Sequence, residues 1–204
     1  MKLALPSCVY YRSINYQFNK SYNDELTITN IILEDRDIEL IKKAVQEPLN
    51  QDNIINVHLQ LKELINNNEE IRNSRLTIYT DGSLMINKRA ENTLMGFEWT
   101  SLTIPRISFN GKVERWPSST RAKLTTIWSL VLACSSNTKL KIKTDSQAAI
   151  DGIIAARNIT SNRKWFGINN RSLINEIIII IKIKSLDIDT IKIKVQREMR
   201  LQMN

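Results

Sequence analysis

Two short segments of the same design constrain the fold of this chain most. Leu76–Thr80 and Leu140–Thr144 alternate apolar and polar residues, and each is followed at once by an aspartate, Asp81 or Asp145. Alternation with a period of two predicts β-strands with one buried face. If the two strands are neighbours in one sheet, both carboxylates lie at partly dry strand ends, within reach of a shared cation. Taken alone, each aspartate is better explained as the start of a turn or as a helix cap.

The segments around these strands predict a mixed α/β fold. Ser118–Cys134 has a hydroxyl cap and an apolar face, which predicts a helix between the two aspartates. Further strands are predicted at Leu94–Leu102, Arg106–Glu114 and Ile188–Val195, and further helices at Ser146–Arg157 and Leu173–Lys184. The β-branched run in the last helix also permits a strand, and the Asn-Gly pair at 110–111 suggests a turn or bulge in the third strand. Three hairpin strands followed by helix–strand units predict a five-stranded sheet, first antiparallel and then parallel, flanked by helices.

The first part of the chain has a different character. Charge and pattern place a domain boundary near Asn73–Arg75, so residues 1–75 are expected to form an N-terminal extension and residues 76–204 the main domain. Glu34–Glu47 is predicted to be an amphipathic helix that Pro48 ends, and Ile54–Ile65 a second helix. These residues give no indication of a function.

Composition excludes several classes of protein. The only histidine, His58, and the two cysteines, Cys8 and Cys134, show no metal-ligand spacing, so a structural or surface histidine and inert thiols are expected. The most apolar run, Ile177–Ile181, is far shorter than the roughly 20 residues of a membrane span, and the N-terminus has too short an apolar run for a signal peptide. We therefore expect a soluble, monomeric, intracellular protein of the cytoplasm or nucleus, with no membrane partner.

The net charge of +8 is concentrated in the second part of the chain. Residues 1–75 contain 9 basic and 11 acidic residues, whereas residues 76–204 contain 20 basic and 10 acidic residues. An excess of this size favours a polyanion such as nucleic acid as the partner, although a solvated basic face would have the same composition.

Three strings together resemble the type-1 ribonuclease H family, of the kind found in retroelement polyproteins. They are Thr-Asp-Gly-Ser at Thr80–Ser83, Ser-Thr-Arg-Ala-Lys-Leu at Ser119–Leu124 and Thr-Asp-Ser-Gln at Thr144–Gln147, and the resemblance extends over residues 76–195. It implies cleavage of the RNA strand of an RNA·DNA hybrid with two divalent ions, expected to be Mg²⁺. It also implies that Asp81 and Asp145 are catalytic and bind the metal.

The resemblance further implies which residues contact the nucleic acid. They are Gly82 and Ser83 after the first strand, Ser118, Ser119 and Thr120 at the start of the following helix, and Gln147. Arg163, Lys164 and Trp165 fall where many family members have a basic, Trp-containing protrusion, and their charges and ring suit contact with phosphates and bases. Alternatively, Trp165 and Phe166 anchor a loop on the core.

Two departures from the family pattern predict that catalysis is impaired. Lys123 stands where the family has a glutamate ligand, and an ammonium cannot bind magnesium. After Val195 the family continues with Gly-His and a helix that carries a last aspartate, neither of which this sequence contains. The expected function is hybrid binding without cleavage. The alternatives are an active enzyme in which another acid, for example Glu176, replaces the missing ligand, and a structural module or pseudogene product of a retroelement.

The residues after Val195 suggest a cause for the second departure. With codons permitted for Gln196–Asn204, the frame that starts one nucleotide earlier encodes Thr-Glu-Gly-Asn-Glu-Ala-Ala-Asp-Glu. Gly-Asn-Glu-x-Ala-Asp is the string in which the family carries its last catalytic aspartate. We hypothesise a frameshift in the gene or in its reading, which the nucleotide sequence of the locus tests directly.

Overall fold

The computed structural model of the protein describes residues 32–45, 48–87, 92–113, 117–159 and 161–194. Contacts divide the chain into two compact units, Met1–Ile55 and Asn56–Asn204. The division falls within a helix, about twenty residues before the domain boundary predicted at residues 75–76, which stays a prediction. No helix in the described part of the chain is long and apolar enough to cross a membrane.

Two helices begin the described chain. Helix α1 spans Ile32–Ala44 and helix α2 spans Pro48–Asn67, so α2 is longer than the predicted Ile54–Ile65. The expectation that Pro48 ends the first helix is wrong in detail, because this proline is the first residue of α2. Proline suits that position since the first turn of a helix needs no hydrogen bond from its backbone nitrogen.

A five-stranded sheet forms the centre of the second unit. Its strands are β1 (Leu76–Asn87), β2 (Asn92–Ser101), β3 (Ser108–Val113), β4 (Lys139–Thr144) and β5 (Asp187–Lys192). They lie in the order β3-β2-β1-β4-β5, with β1–β2 and β2–β3 antiparallel and β1–β4 and β4–β5 parallel. The mixed sheet predicted from the sequence is therefore confirmed.

Five more helices lie before or between the strands of the second unit. They are α3 (Glu69–Asn73), α4 (Ser119–Ala133), α5 (Gln147–Asn158), α6 (Asn162–Phe166) and α7 (Arg171–Ile183), which makes seven helices over the described residues. Helix α4 packs on β1 and β2, and α7 packs on α4 and α5. The isoleucine run forms a helix rather than a strand because Ile174, Ile177, Ile178 and Ile181 recur at helical spacing and are all buried. The predicted loss of a C-terminal helix concerns residues that lie outside the described chain.

The third strand contains no bulge or turn. The pairing of β2 with β3 runs without interruption from Met95–Val113 to Thr100–Ser108, so the prediction from the Asn-Gly pair at 110–111 is wrong. Gly111 is required for a different reason, since a β-carbon there would lie 2.6 Å from the ring of Phe97 on the neighbouring strand. The glycine makes room for an aromatic side chain.

Two buried side chains satisfy the carbonyl groups at the end of α4. The last carbonyls of a helix have no partner within the helix, and a cation there is favoured by the helix dipole. Lys184, which is fully buried, donates hydrogen bonds of 2.7 Å to the carbonyls of Leu132 and Cys134. His58 of α2 donates from Nδ1 to the carbonyl of Ala133 at 2.9 Å. The expectation that His58 is a structural histidine is confirmed.

Candidate nucleic-acid and active site

The parallel pairing of β1 with β4 places the two predicted aspartates where β4 ends beside the middle of β1. Thr80 of β1 pairs with Thr144 of β4, and both side chains are buried. Asp81 is the next residue of β1 and Asp145 is the first residue after β4, and neighbouring strands lie about 4.8 Å apart. The sequence prediction that these carboxylates stand side by side agrees with this register.

Helix α4 meets β1 at Gly82. A β-carbon at Gly82 would lie 2.5 Å from the backbone nitrogen of Lys123 and 2.6 Å from the carbonyl carbon of Ala122. The expectation that Gly82 contacts nucleic acid stays a prediction. The glycine lets the helix backbone approach the strand, and the approach fixes the position from which the Lys123 side chain starts.

Lys123 and Asp145 form an ion pair. The Lys123 ammonium donates a hydrogen bond to Oδ2 of Asp145, and the two side chains are only 15% and 11% exposed. The other carboxylate oxygen of Asp145, Oδ1, is buried and has no hydrogen-bond partner among the described residues. The sequence predicted that Lys123 cannot bind a metal ion. It did not predict the pairing with Asp145, which depends on where α4 packs against the sheet.

Asp81 lies in the middle of β1, which continues to Asn87, so the prediction that this strand ends at Asp81 is wrong. Local hydrogen bonds hold this part of the strand. Oδ1 of Asp81 accepts from the backbone nitrogen of Gly82 at 2.7 Å, and the Thr126 hydroxyl of α4 donates to the Asp81 carbonyl at 2.8 Å. Glu98 of β2 lies directly opposite Asp81 in the antiparallel register. Sequence reasoning missed Glu98, because only the register of β1 with β2 identifies it as a neighbour of the site.

The side chains around Asp81 and Asp145 do not form a suitable site for the divalent ions that the family resemblance implies. A magnesium site needs several oxygen ligands, usually including carboxylates. Here one of the two aspartates already pairs with an ammonium, which is itself a cation. Among the described residues, no group of three or more His, Cys, Asp or Glu side chains is arranged to hold a metal ion.

Glu176 does not lie at this site. It lies on α7 near Trp128 and Arg121 of α4, and Arg121 precedes Lys123 by two residues, or about 200° around the helix. Burial raises the pKa of Glu176 to about 8, although the Trp128 side chain and the Arg121 guanidinium lower it in part. The Trp128 indole nitrogen meets no acceptor at hydrogen-bonding geometry among the described residues. Glu176 is therefore on the wrong face of α4 to replace the missing ligand.

The predicted nucleic-acid contacts at the start of α4 line a cavity. Ser118 caps the helix by accepting from the backbone nitrogen of Arg121, and Ser119 is exposed. The cavity is about 460 Å³ and lies between the start of α4, helix α5 and the turn before α7. Its polar lining consists of Ser118, Thr120, Asn169 and Asn170. The structure thus brings two of the predicted contacts together with two amides that the sequence did not single out.

The basic residues of the protrusion lie on helix α6. Arg163 and Lys164 are exposed, whereas Trp165 is half-buried. Phe166 is 56% exposed and stacks against the guanidinium of Arg171 at 5.3 Å. The partial burial of Trp165 agrees in part with the interpretation that it anchors a loop on the core. The exposed ring on this helix is that of Phe166.

Two other predicted contacts stand apart from this helix. Ser83 is exposed on β1, one residue beyond Gly82. Gln147 is exposed at the start of α5 and donates a hydrogen bond of 2.7 Å to Asp151. Both side chains are accessible from solvent, and neither lines the cavity.

The sequence matches a family model over most of the second unit. The model is described as RNase H and matches residues 73–195, which include all five strands and helices α4 to α7. No curated protein matches the chain. Among solved structures, the RNase H1 of the halophilic archaeon Halobacterium salinarum NRC-1 is similar, with 12% sequence identity and a TM-score of 0.39. The alignment covers 58% of this chain and 86% of that one.

Proposed function

This chain belongs to the RNase H family, and we propose that it binds nucleic acid, with RNA·DNA hybrids as the expected ligand, without cleaving it. The observation that carries the proposal is the ion pair between Lys123 and Asp145. We place the chain among degenerate domains of retroelement origin, because its three strings resemble that branch of the family.

The absence of cleavage follows from the charge of Lys123. Hydrolysis by two metal ions requires carboxylates that hold ions beside the attacking water and the leaving oxygen. An ammonium about 4 Å from a divalent ion repels it by roughly 8 kcal/mol at an effective dielectric constant of about 20, before screening by salt. Asp145 is already neutralised by that ammonium, so Asp81 is the one predicted ligand that remains unpaired with a cation among the described residues.

Binding is supported by the basic surface of the second unit. Arg163 and Lys164 project from α6 into solvent, and Arg171 stacks on the exposed ring of Phe166. Guanidinium and ammonium groups contact phosphates, and an exposed ring offers a surface on which bases stack. The polar cavity at the start of α4 adds hydroxyl and amide donors. These features suit a nucleic-acid backbone and carry no reaction of their own.

A cleavage assay tests the catalytic half of the proposal. A labelled RNA·DNA hybrid is incubated with the protein and with Mg²⁺ or Mn²⁺, and we expect no product above the metal-only control. Turnover by the unaltered chain that disappears in Asp81→Asn would overturn the proposal. Lys123→Glu should recover at most weak activity, because Gln196–Asn204, which follows the family match, contains no aspartate.

Salt-dependent binding tests the other half. Affinity for a nucleic acid falls with log salt at a slope of about −0.9 per neutralised phosphate on duplex DNA. We expect the double variant Arg163→Ala/Lys164→Ala to bind the hybrid several-fold more weakly and with a shallower slope. The matched control Lys139→Ala/Lys182→Ala removes the same charge from exposed residues at the start of β4 and the end of α7. Equal losses in the two variants, or affinity that does not change with salt, would contradict an interface on α6.

A further inference from the structure

The backbone that carries Lys123 is held in place by contacts between α4 and β1. Helix α4 touches β1 at Gly82, so the backbone of Lys123 cannot move away from the strand without breaking that contact. The Thr126 hydroxyl ties the same helix to the carbonyl of Asp81. From this fixed position the Lys123 side chain reaches Oδ2 of Asp145, and both side chains are largely shielded from water. The Lys123 ammonium is thus held beside Asp145 by a helix that is fixed against the sheet, and it is not a freely moving surface charge.

We propose that the Lys123 ammonium is a built-in counter-cation that makes the nucleic-acid binding of this domain independent of divalent ions. The inference rests on the proposed binding function. It adds that divalent ions do not control nucleic-acid binding at this site. Carboxylates at this site repel the phosphates of a nucleic acid unless a cation compensates their charge. Here the compensating charge is covalently part of the chain and needs no ion from solution.

The charges of the neighbouring groups support this inference. Asp81, Asp145 and the cross-strand Glu98 would place three negative charges at this site, and Lys123 cancels that of Asp145, whose side chain is only 11% exposed. Glu98 is exposed, so its charge is screened by solvent and salt. A lysine in direct contact with Asp145 therefore removes a charge that water and salt screen less than that of Glu98.

Thermal unfolding tests the counter-cation without any nucleic acid. The melting temperature of the full chain should be the same in EDTA as in Mg²⁺ or Mn²⁺ at matched ionic strength. Lys123→Glu replaces the ammonium by a third carboxylate beside Asp81 and Asp145, so divalent ions should raise its melting temperature by several degrees. Lys123→Gln removes the counter-cation without adding a carboxylate, so divalent ions should raise its melting temperature by a smaller amount, and this variant keeps the test usable if the glutamate variant does not fold. A rise for the unaltered chain would overturn the inference.

Hybrid binding gives the second arm of the test. The full chain should bind a labelled RNA·DNA hybrid no more tightly in Mg²⁺ than in EDTA at matched ionic strength. Lys123→Glu should bind at least several-fold more weakly than the unaltered chain in EDTA and recover when Mg²⁺ is added. Tighter binding of the unaltered chain in Mg²⁺ would overturn the inference. Failure of the unaltered chain to bind under any condition would instead overturn the proposed function, and the melting arm would then decide the role of Lys123.

Discussion

At Glu176, burial and charge act in opposite directions on one carboxyl group. Burial between α4 and α7 raises its pKa from the ordinary value of 4.5 to about 8, against the lowering effects of Trp128 and Arg121. The Nε atom of Arg121 is itself buried without a hydrogen-bond partner among the described residues. The neutral carboxyl group therefore predominates in the folded protein near neutral pH. The charge of the Arg121 guanidinium offsets only part of the effect of burial on the pKa of Glu176.

The raised pKa of Glu176 predicts a pH-dependent stability. Because the folded state keeps the proton while the unfolded chain releases it above about pH 4.5, the free energy of unfolding should fall between about pH 4.5 and about pH 8. The fall is at most about 4–5 kcal/mol, taking 1.36 kcal/mol for each pKa unit. Glu176→Gln should abolish most of this fall. Urea unfolding at about pH 5 and about pH 8 measures it.

An exposed glutamate provides the control for that experiment. Glu63 lies on the solvent side of α2, and Glu63→Gln should leave the difference in unfolding free energy between the two pH values intact. If Glu176→Gln showed the same difference as the unaltered chain, the burial of Glu176 between the two helices would not control its ionisation.

On the scale of the elements, the contact between α4 and β1 fixes the site. Gly82→Ala would place a β-carbon 2.5 Å from the backbone nitrogen of Lys123, and a helix backbone cannot yield as a side chain does. We expect a loss of about 1–3 kcal/mol in unfolding free energy, as for other overpacked sites. At Gly167 an added β-carbon would be 3.5 Å from the nearest carbonyl oxygen, so Gly167→Ala is the control and should change stability little. Equal effects of the two changes in denaturant unfolding would contradict this role for Gly82.

Helices and strands could be predicted from the sequence where neighbouring residues in the chain determine them. Alternation in β1 and β4 and helical spacing in α4 predicted the sheet and the neighbouring aspartates, because burial of one face imposes a period that the sequence shows directly. Pro48 and Gly111 were misinterpreted because both residues suit more than one local structure. The Lys123–Asp145 pair and the position of Glu98 depend on how a helix and two strands meet, and no single segment encodes that.

On the scale of the whole molecule, the second unit includes residues that we assigned to an N-terminal extension. From Asn56 onward, α2 belongs to the same compact unit as the sheet. It buries Val57, Leu61 and Leu64, and its His58 satisfies a carbonyl at the end of α4. A family match that begins at residue 73 therefore does not mark where the folded unit begins.

Removal of α2 should consequently destabilise the unit that carries the site. Leu61 is fully buried, and Leu61→Ala should cost about 2–5 kcal/mol, as other buried leucines do. Leu59 is 48% exposed two residues earlier on the same helix, and Leu59→Ala should cost less than about 0.5 kcal/mol. The fragment 76–204, which lacks α2 and leaves the Ala133 carbonyl without His58, should unfold at a lower denaturant concentration than the full chain. If that fragment matched the full chain and Leu61→Ala matched Leu59→Ala, α2 would not be part of the folded unit. Circular dichroism during urea unfolding distinguishes these outcomes. If the unit needs α2, the helical signal of the fragment and of Leu61→Ala is lost at a lower urea concentration than that of the full chain.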